Sequence, residues 1–148
     1  MSEIKVIQGE IFNDERGQIS SLNKFHFEDV RRTYIIHHPN VEVVRGWHAH
    51  QQERKWFYCV KGRFSVALVK PDDWDNPSPT LIPEIFHLSE LDSKIVCVPA
   101  GYANCLKAFE PGSIMQVFSD KTLPEALDDS WRYDKNMWVD WDRESIND

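Results

Sequence analysis

Arg45-Gly46-Trp47-His48-Ala49-His50, followed by Lys55 and then Gly62, is the stretch on which the reading of this chain turns. It gathers two histidines, an arginine and a lysine within eleven residues. In the run at residues 55–60, Lys55, Phe57 and Cys59 share one strand face, and Trp56, Tyr58 and Val60 share the other. Both faces are rather apolar, which marks a central strand or one covered by a second subunit. The face-mates of Lys55 argue that its side chain points inward.

Strand-like runs recur on either side of this stretch, at residues 4–7, 34–37, 41–47, 55–60, 64–69, 85–88, 95–98 and 114–118. Turn signals separate them, among them Asn13-Asp14, Pro39-Asn40, Lys61-Gly62, Pro99-Ala100-Gly101 and Pro111-Gly112. Many short strands punctuated in this way predict an all-β sandwich or barrel. Residues 70–80 read as an exposed, proline-rich loop. Helix is expected only as a turn near 28–30 and a short segment at 124–129. The aromatic tail, residues 131–141, is expected to pack on the body through Trp131, Trp138 and Trp141, and residues 142–148 to fray.

The totals bound the function. A chain of 148 residues predicts one domain, 1–148, with a real core. The formal net charge of −7 argues against nucleic acid as a partner but not against a phosphate-bearing small ligand, which needs only a few local arginines. The first residues carry no apolar run after their basic residue, and no stretch approaches membrane-spanning length, so a cytoplasmic protein is expected. Cys59, Cys97 and Cys105 have no close pairing and read as buried free thiols.

The motif nearly matches a metal-binding cupin, G-x5-H-x-H-x(3,4)-E-x6-G followed by G-x5-P-x-G-x2-H-x3-N. His48 and His50 supply H-x-H, but Lys55 stands where the glutamate belongs, and Asn104 stands where the last histidine belongs after Pro99-Ala100-Gly101. Glu53 lies two residues from that glutamate position, with the same strand parity. A lysine cation in a ligand set opposes a metal, so no metal or other cofactor is expected. The residues suit different work. A histidine can remove a proton α to a ketone, a lysine can steady the enolate oxygen, and an arginine can hold a phosphate bidentately.

With these motifs in hand, the chain resembles the nucleotide-sugar cupins, dTDP-4-dehydrorhamnose 3,5-epimerase and the dTDP-sugar 3,4-ketoisomerases. Asp14-Glu15-Arg16-Gly17 is similar to the epimerase "DxRG", Arg45-Gly46-Trp47-His48 to its "RGxH", and Lys55 to its catalytic lysine. The block Arg45 to His50 also resembles the ketoisomerase "RGxHAH", in which both histidines are used. The resemblance implies a cupin jelly roll, catalysis by side chains without a metal, and a homodimer. It further implies His48, oriented by Asp134, as base, His50 as proton shuttle and Lys55 as oxyanion cation. Arg16 and Arg45 would hold the diphosphate, with Arg32, Tyr34 and Asn104 lining the substrate pocket. The tyrosine that reprotonates in the epimerases falls on Val117 or Phe118, neither of which can donate a proton. The implied function is isomerisation of a nucleotide-diphosphate 4-keto-6-deoxyhexose for surface polysaccharide, by 3-epimerisation or 3,4-ketoisomerisation. The alternatives are a non-catalytic sugar- or nucleotide-binding cupin and a metal-dependent cupin enzyme.

Overall fold

Alternating side chains along the strands build two facing antiparallel sheets, as the sequence predicts for a cupin jelly roll. The computed structural model describes residues 3–144. Its elements are β1 (Lys5–Gln8), β2 (Glu10–Asp14), β3 (Gly17–Ser21), β4 (Arg32–His38), β5 (Val44–His50), β6 (Lys55–Lys61), β7 (Arg63–Val69), β8 (Glu84–Ser89), β9 (Lys94–Val98), β10 (Tyr102–Ala108), β11 (Ser113–Ser119), α1 (Leu123–Asp128) and β12 (Trp131–Arg132). One sheet has the order β1-β9-β6-β11-β4 and the other β12-β5-β10-β7-β8, with β2 and β3 forming a separate hairpin.

The space between the sheets is filled by the inward faces of both. Phe57 and Cys59 from β6, Val96 and Val98 from β9, and Met115 and Val117 from β11 meet Phe64, Val66 and Leu68 from β7 and Leu106 from β10. The other face of β7 and β10 carries small residues, Ala67, Ala103 and Cys105, and these are covered by a second cluster. That cluster is made by the tail. Trp138 packs edge-on to Trp47 at 4.9 Å, Trp131 meets Trp74 at 5.5 Å, and Trp141 is buried. The tail tryptophans therefore pack, as expected. The loop at 70–80 is mostly exposed, as expected, and is tied to the tail where Tyr133 donates to the Trp74 carbonyl and Trp138 to that of Ser78.

Three other elements depart from the sequence reading. β10 has no β-branched residue, so nothing in its composition announces a strand. β5 starts at Val44 rather than Val41, because Asn40 accepts from the Glu42 amide and holds a turn there. The β2–β3 hairpin shows no alternation that would reveal it. The segment at 28–30 is a turn, with Asp29 at φ 68°. Helix α1 lies one residue before its expected place. Thr122 caps it, accepting from the Glu125 amide while Glu125 accepts from the Thr122 amide, an arrangement that contributes about 1 kcal/mol. Of the end expected to fray, Asp142 and Arg143 turn back on Asp140, and 145–148 lie outside the described residues.

A bulge in β5 positions the site. His50 pairs with Tyr102 and His48 with Asn104, but Gly46 then pairs with Cys105, leaving Trp47 as the extra residue. Strict alternation would put Arg45 on the face opposite His48. The extra residue reverses the parity, so Arg45 comes opposite the inward-facing Leu106. Gly46 is required here. It sits at φ 141°, and a Cβ would stand 2.7 Å from the Asn104 carbonyl oxygen.

His38 is fully buried at the end of β4, edge-on to Phe64, and neither ring nitrogen has a hydrogen-bond partner among the described residues. Burial, then Arg45 and Lys107, push its pKa below the ordinary 6.5. A depressed histidine stabilises the fold above its unfolded value, and that stability is lost as pH falls below about 6.5, by up to about 1.4 kcal/mol per pH unit. Urea unfolding at pH 7.5 and pH 5 should therefore show a smaller acid loss in His38→Leu than in the parent chain.

Candidate active site

A cleft of about 410 Å³ opens at the end of the sandwich where β4, β5, β6 and β10 come together. Its walls include Arg32 and Tyr34 from β4, Arg45, His48 and His50 from β5, Lys55 from β6 and Asn104 from β10. These residues were singled out in the sequence, and the fold brings all of them to one cavity. Helix α1 adds an apolar rim through Leu123 and Leu127.

The two histidines leave the same face of β5 with ring centroids 4.4 Å apart. They are held by the segment that follows α1. His48 Nε2 lies 2.8 Å from the Ser130 hydroxyl. His50 Nδ1 lies 2.6 Å from the Asp129 carbonyl oxygen. A carbonyl can only accept, so Nδ1 of His50 carries the hydrogen. The Asp129 carboxylate accepts from the amides of Gln51, Gln52 and Glu53, which fixes the turn after β5. Burial, then His50, Lys55 and Arg132, lower the pKa of His48 to about 3. Burial and Lys55 also lower that of His50, against the opposing pull of Glu53 and Asp129. Neutral imidazoles of this kind are able to accept a proton at neutral pH.

Lys55 is only 6% exposed, and its ammonium lies 3.9 Å from Glu53 Oε1. Burial lowers its pKa to about 8, with Glu53 opposing and Arg32 assisting the shift. The Glu53 carboxylate is itself buried. Its Oε2 accepts from Arg32 at 3.2 Å and from Ser119, and its Oε1 lies 3.2 Å from His50 Nε2, off the line for a hydrogen bond. The Arg32 guanidinium also stands over the Tyr34 ring at 4.8 Å. Burial and the nearby Glu53 push the Tyr34 phenol up to about 12, so it stays protonated.

Two assignments from the sequence need correction. Asp134 does not orient His48: its carboxylate is exposed and accepts from the Asn136 amide, because the chain turns away after β12. Ser130 takes that place. Arg16 does not line the cleft. It sits on the β2–β3 turn, largely exposed, in an ion pair with Asp14 at 2.6 Å. Arg132 supplies a cation instead, from the β12 position paired with His48. Pairing of β12 with β5 had no sequence signal, since the strand has only two residues. Glu53, weighed in the sequence only as a metal ligand, is the buried carboxylate of the site. The capping box at Thr122 marks where α1 starts, but nothing in the sequence says that its far end meets the histidines.

Comparison with known proteins agrees with this architecture. No curated protein is significantly similar to the chain. A variant of the 3,4-ketoisomerase QdtA from Thermoanaerobacterium thermosaccharolyticum, in complex with TDP-4-keto-6-deoxyglucose, superposes with a TM-score of 0.69 at 18% identity, over 90% of this chain and 89% of that one. The dTDP-4-dehydrorhamnose 3,5-epimerase of Bacillus anthracis, with TDP and PPi bound, gives a TM-score of 0.76 at 18% identity, over 97% and 87%. NovW, a 4-keto-6-deoxy sugar epimerase from Streptomyces spheroides, gives 0.75 at 18% identity, over 93% and 74%. At these identities the likeness establishes the cupin jelly-roll fold shared with the sugar-nucleotide ketoisomerases and epimerases. The family model described as FdtA: WxcM-like, C-terminal matches residues 2–137, and the chain belongs to that family.

Proposed function

We propose that the protein isomerises a nucleotide-diphosphate 4-keto-6-deoxyhexose through an enolate, in the synthesis of surface polysaccharide. The observation that carries this reading is the convergence of two neutral histidines and a buried lysine in one cleft. Arg45 and Arg132 line the same cleft and suit a diphosphate. The ketoisomerase that shares the fold binds a TDP-4-keto sugar, which supports the substrate class.

His48 takes the proton from C3, and the electron pair passes into the C4 carbonyl, whose oxygen becomes an enolate. The Lys55 ammonium stabilises that oxygen. Return of a proton to C4, with transfer of the 3-hydroxyl proton to the C4 oxygen, gives the 3-keto isomer. His50 stands beside His48 on the same wall, so removal and return on one face of the sugar favour 3,4-ketoisomerisation. Epimerisation at C3 needs an acid on the other face. Val117 is in the core and Phe118 packs outside with Phe25 and Phe27, so neither supplies it. A second reading, 3-epimerisation, is supported by Tyr34, a protonated phenol on the facing sheet. The metal-dependent alternative is disfavoured by the donor set, because Lys55 brings a cation to the histidines and His48 is engaged by Ser130.

We also propose that the chain is a single domain acting as a cytoplasmic homodimer. The outer face of the β4–β6 sheet exposes Ile35 and Val60, with Phe27 beside it, at 54%, 46% and 62%. Covering such residues with a second copy removes apolar area from water.

Three outcomes test these readings. Solvent deuterium should enter a dTDP-4-keto-6-deoxyglucose substrate, and NMR of the product should show the 3-keto isomer. His48→Ala should slow the exchange roughly a hundred- to ten-thousand-fold and Lys55→Met about a hundred- to a thousand-fold. No exchange above the His48→Ala control would leave a binding protein. The kcat/KM profile should fall as pH rises through about 8, where Lys55 loses its proton, and should persist below 6.5, because His48 stays neutral down to about 3. Light scattering should give twice the 17.4 kDa chain mass, and Ile35→Glu with Val60→Glu should return the protein to one chain.

A further inference from the structure

Glu53 is 3% exposed, and the groups turned toward it come from four strands. Arg32 reaches it from β4, where Tyr34 also feels its charge, His50 from β5, Lys55 from β6 and Ser119 from β11. Its two oxygens are used differently. Oε2 is occupied by the Arg32 guanidinium and the Ser119 hydroxyl. Oε1 has no hydrogen-bond partner among the described residues and lies 3.2 Å from His50 Nε2 and 3.9 Å from Lys55 Nζ. A buried carboxylate with one anchored and one free oxygen is held in place by the first and acts through the second.

The cations nearby make its charge necessary. Lys55 shares the cleft with Arg32, Arg45 and Arg132. A buried lysine among other cations tends to lose its proton unless an anion faces it. An amine in that state cannot stabilise an enolate. The same oxygen faces His50, whose Nδ1 hydrogen is committed to the Asp129 carbonyl, so Nε2 is the nitrogen left for proton transfer.

We propose that Glu53 is the positioning residue of the site: its free oxygen, 3.9 Å from the Lys55 ammonium, holds Lys55 in its charged form. This rests on the enolate reading of the cleft. Glu53 touches no substrate. It acts through Lys55, and Arg32 competes with Lys55 for the same carboxylate.

The test titrates Lys55 without any sugar. The folded, full-length chain is treated with an acetyl N-hydroxysuccinimide ester across a pH series, and acetylation of the Lys55 peptide is followed by mass spectrometry. The parent chain should give a midpoint near 8. Glu53→Gln should lower the midpoint by at least about one pH unit, equivalent to about a tenfold change in the charged-to-neutral ratio. Arg32→Gln should raise it. A loosened structure would instead carry both variants toward the ordinary 10.5. An unchanged or raised midpoint in Glu53→Gln overturns the proposal, and so does an unchanged or lowered one in Arg32→Gln. If Glu53→Gln fails to fold, Glu53→Asp, which keeps the charge, takes its place and should hold the midpoint near that of the parent; a fall overturns the proposal. With the keto sugar present, the alkaline limb of the Glu53→Gln rate profile should move down with the Lys55 midpoint. A Lys55 titration that behaves as described in a protein that exchanges no deuterium would overturn the enolate reading and leave the Glu53 assignment to Lys55 standing.

Discussion

The close approach of β5 to β10 at Gly46 is the constraint on which the rest of this molecule depends. No Cβ fits against the Asn104 carbonyl, and the bulge that forms there does two jobs. On the outer face it delivers Trp47, whose indole donates to the Met137 carbonyl and whose backbone exchanges bonds with Tyr133, so the tail is fastened over the second cluster. On the inner face it turns Arg45 toward the cavity that already holds His48 and His50. Packing of the tail and composition of the site are thus consequences of one irregularity in a strand.

The cleft combines groups that would be costly to bury separately. A lysine, an arginine and one histidine surround a buried carboxylate, with the second histidine beside the first. Burial depresses the basic groups, which leaves the imidazoles neutral and the lysine close to its titration point. Neutral imidazoles can accept a proton beside a ketone, and the lysine can stabilise the resulting oxyanion while it is charged. The apolar surroundings also strengthen each charge interaction in the cavity relative to water.

Much of the site was legible because strand periodicity is local. Two residues apart on a strand means the same face, so His48 with His50, and Lys55 with Phe57 and Cys59, could be assigned from the chain alone. Arg32 and Tyr34 follow from the same rule on β4. The failures have a common cause. Asp134 followed from the family resemblance alone, which does not reveal that its carboxylate caps its own turn. Arg16 was assigned from a motif, and its side chain is taken by Asp14 two residues away. Asp129, Ser130 and Arg132 were missed because they reach the histidines only after α1 and β12 fold back onto β5.

By itself, then, the sequence determined the all-β class, the inward lysine and the shared face of the histidines, since each depends on alternation over a few residues. Tertiary structure decided which carboxylate faces them. Glu53 reaches Lys55, His50, Arg32 and Ser119 because four strands from two sheets meet at that point, and the contacts with Arg32 and Ser119 span 21 and 66 residues of chain. Pairing across such separations is fixed by sheet order and by one bulge, neither of which leaves a periodic trace in the sequence.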